Sequence, residues 1–499
     1  MTSGRFKILA EWLVVGAFLV IISIPLWLKV DLIPMRIWDE SRNAVNAIEM
    51  YQTNNWLVRT FNFAPETYEL KPPLLTWFQV GSLHILGLNE LGIRMPSVLF
   101  SITTLLLLFS IIYKMTDNPF LGLLAATITA TSAGFYAEHA GRFGDHEALL
   151  VCLSMWLFYC VYQYSTTTRP KYIYLAGISI ALGILCKSVT IGMVLPGLFF
   201  FLLYDRKILS LIQSKHTYFA FLVAITPIFT YYFLREQAQP GYLNLIWTWE
   251  LFPRFFNTAQ EVSFHNAGFG YYFSLIKSSK MEFWVWSFLL IILPPFLTKK
   301  VDHKWAFWVF PSVIFLLVIS SGTKNFWYLA PVVPMLAGAV AISAHMVIKG
   351  GTKRTSWVII PLSVIATLSF QKAYKYAFNP QEKYFEWETN GISHYLKDEK
   401  HVANINSNTQ ILLDEKYGYE PHKFYLNKLN IERDIDIKRT ELYHLNPNDT
   451  LLISHESTYK TLSKKYHIEV LDSSYSHTKL LVIKPLIQVD SISNLSPIE

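Results

Sequence analysis

The sequence predicts a mainly α fold: a polytopic membrane helical bundle followed by a small α/β domain. Three observations carry this. Of the 499 residues, 52% are hydrophobic and only 16% charged, well below the quarter or so of charged residues usual in soluble domains. Apolar stretches recur through the first three quarters of the chain, many approaching the roughly 20 residues that cross a bilayer at about 1.5 Å rise each. From Gln371 the composition turns polar, and short apolar strands alternate with helical stretches, the signature of a separate mixed domain.

The hydropathy pattern places spans near Ile8–Leu28, Ile93–Tyr113, Leu121–Tyr136, Glu147–Tyr164, Tyr172–Cys186, Val189–Tyr204, Tyr218–Leu234, Phe283–Leu297, Trp305–Ser320, Phe326–Val347 and Trp357–Phe370, about eleven in all. The first has a basic flank, Arg5 and Lys7. It is too long for a signal peptide and no small-residue cleavage site follows, so it reads as an anchor. Cys152, Cys160 and Cys186 all fall in apolar spans, and no disulfide is expected.

Charge sets the orientation. Counted from a cytoplasmic N-terminus, alternate connections hold Lys114; Arg169 and Lys171; Arg206, Lys207 and Lys215; Lys299, Lys300 and Lys304; and Lys349, Lys353 and Arg354. All are basic, and the positive-inside rule puts them in the cytoplasm. The outward connections instead mix acids, bases and histidines: Asp39, Glu40, Arg42, Lys71, Arg142, Asp145, Lys187, Arg254, His265 and Lys324. A charge at mid-bilayer costs about 2.5–3.5 kcal/mol, much more than at the interface. A solvated rim with interfacial anchors is therefore the plain alternative to a site. The net charge of +7 is spread over loops and tail and is no nucleic-acid signal.

Two domains are expected, a membrane part over 1–370 with a long outer loop at 31–92, and an extracytoplasmic α/β part over 371–499. The second has strands at Thr450–Ser454, Ile468–Leu471 and Lys479–Lys484, helices at Glu386–Leu396 and Ser457–Tyr466, and no glycine-rich phosphate loop or metal-ligand spacing. In the outer loop, Ala44, Ala47, Ile48 and Tyr51 recur at helical spacing. They predict an amphipathic helix on the outer leaflet, with Asp39 and Glu40 at the end the helix dipole makes favourable for acids. Capping accounts for one acid. It does not account for Lys71, which Pro72 and Pro73 hold at a stiff entry to the next apolar segment.

Several of these stretches together resemble a known family. "WDESRNAVNAIEM", "NNWLVRTFNF", "YELKPPLLTWF" and "LGLNELGIRMPSVLF" are similar to the polyprenyl-phosphate-sugar-dependent transferases, which include relatives of the protein O-mannosyltransferases and the bacterial lipid A aminoarabinose transferases. The shared features are the acid pair Asp39-Glu40, Arg42, Asn55-Trp56, Lys71-Pro72-Pro73 and Arg94-Met95-Pro96-Ser97. "GILCKSVTIGMVLP" places Lys187, "TKNFWYLAPVVPMLA" places Lys324 and Tyr328, "ELFPRFF…HNAGFGYYF" places Arg254, His265, Tyr271 and Tyr272, and "RFGDHEALL" places Asp145 at a second acidic position. The resemblance covers most of residues 1–350, and the tail from Gln371 lies outside it. The family commonly has Glu before Lys-Pro-Pro, implicated in metal binding; here Leu70 stands there and Glu69 one residue earlier. Asn43 stands where a tyrosine is usual.

The resemblance implies the helical-bundle fold of the C-type glycosyltransferases. It also implies movement of a sugar from a polyprenyl-phosphate donor to a lipid, glycan or protein acceptor of the bacterial envelope, on the outer face of the inner membrane among its lipids. A phosphate leaves as an anion and needs no acid to protonate it, so two facing carboxylates are not required. Cations around it help, and Arg42, Lys71, Arg254 and Lys324 are the candidates. A hydroxyl acceptor needs a base, assigned to Asp39, with Glu40 positioning the acceptor or a cation; in-line displacement then inverts the anomeric carbon. Arg142, Asp145, His265 and Tyr328 are expected to support the site or bind substrate. The resemblance fixes no cofactor and leaves a divalent metal open, with Asp39, Glu40 and Glu69 the acids on which it could rest. The rivals are a secondary transporter, whose charges sit in mid-membrane on repeated halves, and a non-catalytic envelope assembly protein. The charges here gather at one face, and the halves show no repeat.

Overall fold

A computed structural model describes residues 2–137, 139–251, 268–298, 301–322, 324–349, 352–380, 382, 390–412, 421–440, 445–475 and 478–484. The chain forms two compact units. One comprises Met1–Leu32 with Asn46–Gln381, the other Ile33–Val45 with Glu382–Glu499.

The first unit is helical. Its elements begin with α1 (Thr2–Trp27), the part of α2 (Asp39–Thr53) beyond Val45, a small hairpin of β1 (Thr60–Phe61) and β2 (Ala64–Pro65), α3 (Leu74–Leu86), α4 (Glu90–Thr116), α5 (Pro119–Ala130), α6 (Ala133–Tyr136), α7 (His146–Thr167) and α8 (Lys171–Lys187). They continue with α9 (Leu195–Tyr204), α10 (Ile208–Gln213), α11 (Lys215–Ala238) and α12 (Tyr242–Leu245), and later helices include His303–Ser321, Val332–Ile348 and Thr352–Phe378. Among the described residues, eight helical segments are long and apolar enough to cross a membrane, or nine if Tyr271–Lys280 and Glu282–Leu297, bent by 118°, are one span. The chain is an integral membrane protein.

Eleven spans were expected, and the difference is local. The stretch read as Leu121–Tyr136 is the 12-residue α5 followed by the four-residue α6. The pair Tyr172–Cys186 and Val189–Tyr204 forms one apolar segment, Lys171–Tyr204, broken where Ser188 takes φ +51°. The outer loop over 31–92 contains an unexpected apolar helix, α3, of 13 residues. At about 1.5 Å per residue it reaches roughly 20 Å, short of the roughly 30 Å hydrocarbon core.

The bundle is packed around Val332–Ile348. Ala337, Ala339, Ala341 and Ala344 are fully buried, and a Cβ on Gly338 would lie 2.4 Å from the Trp308 ring. Small residues let the neighbouring helix approach closely, which drives helix association where no hydrophobic effect acts between helices. The lipid-side helices have the reverse pattern, with Leu9, Leu13, Val14 and Phe18 of α1 exposed.

The helix expected over Ser41–Tyr51 is present as α2, beginning at Asp39. Its setting differs from the expected one: every residue from Asn43 to Met50 is buried, Asn43, Asn46 and Glu49 included. It is a core helix with polar residues inside, not one laid on a leaflet. Buried polar groups demand partners.

The second unit holds a five-stranded sheet in the order β4-β3-β5-β7-β6, from β3 (Thr409–Leu412), β4 (Lys438–Thr440), β5 (Thr450–Ile453), β6 (His467–Tyr475) and β7 (Thr478–Lys484). β3 runs parallel to β4 and β5, while β7 is antiparallel to β5 and β6. All four residues of the central strand β5 are buried, which is why it reads as a continuous apolar run instead of an alternating one. Leu412, Leu451, Ile453, Leu462, Leu481 and Ile483 form its core. The helix Glu456–Lys465 matches the expected Ser457–Tyr466. Of the expected Glu386–Leu396 helix, Gly391–Leu396 lies in the helix Gly391–Lys397, and 386–389 lie outside the described residues.

Candidate active site

In the first unit, Lys71 is held by a scaffold that starts on α2. Asn46 and Glu49 lie three residues apart and so on one face of that helix. Glu49 accepts hydrogen bonds from the backbone amides of Asn62 (2.8 Å) and Phe63 (3.0 Å). These two residues form the turn between β1 and β2, both with positive φ, +57° and +58°, as tight hairpins favour. Asn46 donates to the Thr60 carbonyl at 2.6 Å and accepts from Arg59 Nε at 3.0 Å. Arg59 in turn donates from Nη1 to the Lys71 carbonyl at 2.8 Å. The hydroxyl of Tyr242 donates to the Leu70 carbonyl, also at 2.8 Å. Glu66 accepts from the amides of Tyr68 and Glu69. The backbone entering Lys71-Pro72-Pro73 is thus pinned on several sides, and the Lys71 ammonium pairs with the buried Glu69 carboxylate.

Burial alone would raise the Glu69 carboxyl. The charges of Lys71 and Arg59 outweigh it and bring the group down from 4.5 to about 2. A carboxylate depressed in the folded state contributes stability that is fully present above its unfolded value and lost as pH falls through the folded one. Wild-type protein in detergent is therefore expected to lose thermal stability between about pH 4.5 and 2, and Glu69→Gln to show a flatter profile over that window. Equal slopes for the two would show that the pair adds nothing there.

A second group lies at the start of α7. Asp145 is its N-cap and accepts from the His146 amide at 2.7 Å, the usual duty of an acid there. Its other oxygen meets His139 Nδ1 at 2.6 Å. Burial would raise this carboxyl too, but hydrogen bonds from His139 and His146, with the charges of His139 and Lys71, hold it well below the ordinary range. Lys71 and Asp145 therefore feel one another's charge. Gly144 permits this turn to close: a Cβ there would lie 2.5 Å from Ile93 Cγ2. One residue beyond His146, Glu147 forms a buried ion pair with Lys187 at the end of α8, and Lys187 stands 5.8 Å from the ring centre of the buried Tyr328. Loop 54–73, the start of α7 and the end of α8 thus gather a layer of buried charge.

The remaining expected residues divide. Arg142 is spent on the fold: it donates to the carbonyls of Pro25 (2.6 Å) and Leu28 (2.8 Å) and contacts that of Lys29 at 3.3 Å. These carbonyls lie at and just past the C-terminus of α1, where helical acceptors lack partners. Neither a surface pair with Asp145 nor substrate contact is needed to explain it. Arg142→Ala is expected to cost about 2–4 kcal/mol, as buried acceptors lose a charged donor, read as a lower Tm of purified protein and less protein in membranes. Lys324 is buried and donates to the carbonyls of Ser320 (2.5 Å) and Gly322 (2.7 Å), at and beyond the end of helix His303–Ser321, and burial lowers its pKa. Arg254 and His265 lie outside the described residues.

Asp39, Glu40 and Arg42 occupy the first turn of α2, in the second unit. Glu40 is 3% exposed, and its carboxylate accepts from the Arg36 amide at 2.8 Å. It braces the loop ahead of the helix. Asp39 is half-buried. The proposed metal set is not favoured by Glu69 either, since a cation there would have to displace the Lys71 ammonium. The sequence reading missed Asn46, Glu49, Arg59, Glu66, His139 and Glu147. The one available signal was polar residues at core spacing on α2.

The family of dolichyl-phosphate-mannose-protein mannosyltransferases matches residues 70–233. An uncharacterized protein of Aquifex aeolicus is 26% identical over 345 residues, 68% of this chain and 66% of its own. An undecaprenyl phosphate-alpha-4-amino-4-deoxy-L-arabinose arabinosyl transferase of Shewanella sediminis is 23% identical over 276 residues, 54% of this chain and 47% of its own. The chain thus spans about half to two thirds of the length of these relatives. The crystal structure of ArnT from Cupriavidus metallidurans bound to undecaprenyl phosphate superposes with a TM-score of 0.67 over 94% of this chain and 98% of that one, at 13% identity, a likeness of fold. The bundle and its appended sheet define a polytopic membrane protein of this architecture. These similarities support a relation to the superfamily that joins the ArnT-like glycosyltransferases and the protein O-mannosyltransferases.

Proposed function

We infer that the protein transfers a sugar from a polyprenyl-phosphate donor to an acceptor of the bacterial envelope, with inversion at the anomeric carbon. The reading places the N-terminus in the cytoplasm, and the reaction and the C-terminal unit on the outer face of the inner membrane. The observation that carries it is Lys71: a cation on a backbone pinned by Arg59 and Tyr242 and paired with the Glu69 carboxylate. A preorganised cation of this kind stabilises the charge that builds on a departing phosphate without reorganising. Arg42, Arg254 and Lys324 are assigned to the same anion. Asp39 takes the proton of a hydroxyl acceptor as its oxygen bonds to the anomeric carbon, while the bond to the phosphate oxygen breaks and the phosphate leaves with the electron pair. Glu40 and Arg142 position backbone, and Asp145 and Tyr328 are assigned to the sugar or its surroundings. No step runs through a metal.

The acceptor is a lipid, a glycan or a protein. Mass spectrometry of envelope lipids and glycans, with and without the gene, tests the reading. A sugar missing from one acceptor supports it and names both substrates. An unchanged envelope together with loss of a transported solute would return the case to a transporter.

A further inference from the structure

A cavity of about 410 Å³ lies among α7, α8, α9, α10 and α11, with Leu157, Val161, Ile173, Leu198 and Ala224 in its walls. Its lining is almost wholly apolar, and two of its walls, Phe199 and Phe221, are 48% and 64% exposed, so it opens sideways toward lipid. Its residues on α8 run from Tyr172 to Ile184, and Lys187, paired with Glu147, ends that helix. The end of the cavity at Tyr172 is the one remote from the charged layer: fifteen residues separate Tyr172 from Lys187, roughly 22 Å along a helix axis.

The rim of this cavity is basic. Lys171 precedes the lining residue Tyr172 and stands over its ring at 5.1 Å. Lys207 precedes the lining residue Ile208, and Lys215 lies two residues before the lining residue Thr217. Arg169 and Arg206 flank the same two connections. The acid in these connections, Asp205, is already engaged, by Ser165 at 2.6 Å and His303 at 2.8 Å. Tyr164 and Tyr172 also line the cavity. An apolar slot open to lipid, with cations at its mouth that have no acidic partner among the described residues, complements a molecule with a hydrocarbon chain and an anionic head.

We propose that this cavity holds an acyl chain of an anionic phospholipid, with its phosphate on Lys171, Lys207 and Lys215, as a lipid site separate from the sugar-transfer site. Basic pockets between membrane helices bind anionic heads on the strength of such charges. The donor lipid is the poorer occupant, because its phosphate is assigned to the Lys71 layer at the other ends of α7 and α8.

The test uses the full-length protein in nanodiscs of phosphatidylglycerol or of phosphatidylcholine, with bound lipid read by native mass spectrometry after release into detergent. Wild type is expected to retain phosphatidylglycerol over phosphatidylcholine. The triple substitution Lys171→Gln, Lys207→Gln, Lys215→Gln should lower that retention by roughly tenfold or more, given the contribution of each basic residue. Ala176→Phe, which fills the slot and keeps the rim, should lower retention of both lipids. Equal retention of the two by wild type, or retained polyprenyl phosphate in place of phospholipid, would overturn the proposal. The readout is bound lipid, so it stands or falls apart from the transfer activity.

Discussion

Replacement of Lys71 by Met is expected to abolish sugar transfer and, separately, to destabilise the protein. The two losses have different causes and can be parted. Removal of a preorganised charge aimed at a developing anion typically lowers kcat by about 10²–10³. Removal of one partner of a buried ion pair costs about 3–5 kcal/mol, because the other charge is left buried without compensation. Here that orphan is Glu69, buried and paired with Lys71. Glu69→Gln with Lys71→Met removes both charges, and neutral replacement of a whole buried pair is often close to harmless. The double variant should therefore recover much of the Tm in detergent and the membrane yield of wild type, yet stay inactive. Recovery of transfer along with stability would mean that Lys71 serves the fold alone. Glu69→Gln by itself leaves the cation in place and should retain more activity than either variant lacking Lys71. The assay is transfer from a polyprenyl-phosphate sugar in membrane vesicles, normalised to folded protein.

The same residues show how much of the site is written in the sequence. Lys71 was legible because two prolines stiffen the chain directly after it and because a cation at the entry to an apolar segment needs a reason. Its supports were not. Asn46 and Glu49 on α2 are ordinary polar residues by composition, and only the hairpin turn at Asn62 and Phe63 explains why they are buried. Arg59 acts through a carbonyl, which no side-chain pattern records. Arg142 and Lys324 were read as site cations because their loops face the right way by charge alternation. Both also donate to carbonyls at helix ends, a demand that is set by where a helix stops and not by residue type. Span edges failed for a related reason: hydropathy measures apolar length, so a helix broken at Ser188 and a short apolar helix such as α3 look alike to it. In the second unit, β5, β6 and β7 were visible as apolar runs, while β3 and β4, with four and three residues, were too short to stand out from their surroundings.

Asp39→Asn is expected to remove most of the transfer rate while leaving the fold intact. The loop that carries Asp39 is braced independently of its carboxylate. The Met35 amide donates to the Tyr425 hydroxyl at 3.0 Å, the Arg36 amide to Glu40 at 2.8 Å, and the Ser41 hydroxyl to the Trp38 carbonyl at 2.9 Å. Trp38 holds φ at +69°, a region that bulky residues seldom occupy and that persists only where neighbours enforce it, often beside functional groups. Asparagine keeps the shape and most hydrogen bonds of aspartate but cannot accept a proton under these conditions. A positioned base is worth about 10²–10⁴ in rate, so kcat should fall by that amount with the donor KM little moved, and Tm should stay within about a degree or two for a half-buried isostere. The size of the loss also reports on the acceptor. A hydroxyl must surrender its proton as it attacks, whereas a phosphate acceptor is already an anion and needs no base. A fall of no more than a few-fold, with Glu40→Gln impairing stability more than rate, would exclude Asp39 as the base and point to an anionic acceptor. A fall of several hundredfold that the same substitution at Glu40 does not reproduce assigns the proton to Asp39 and the acceptor to the hydroxyl class.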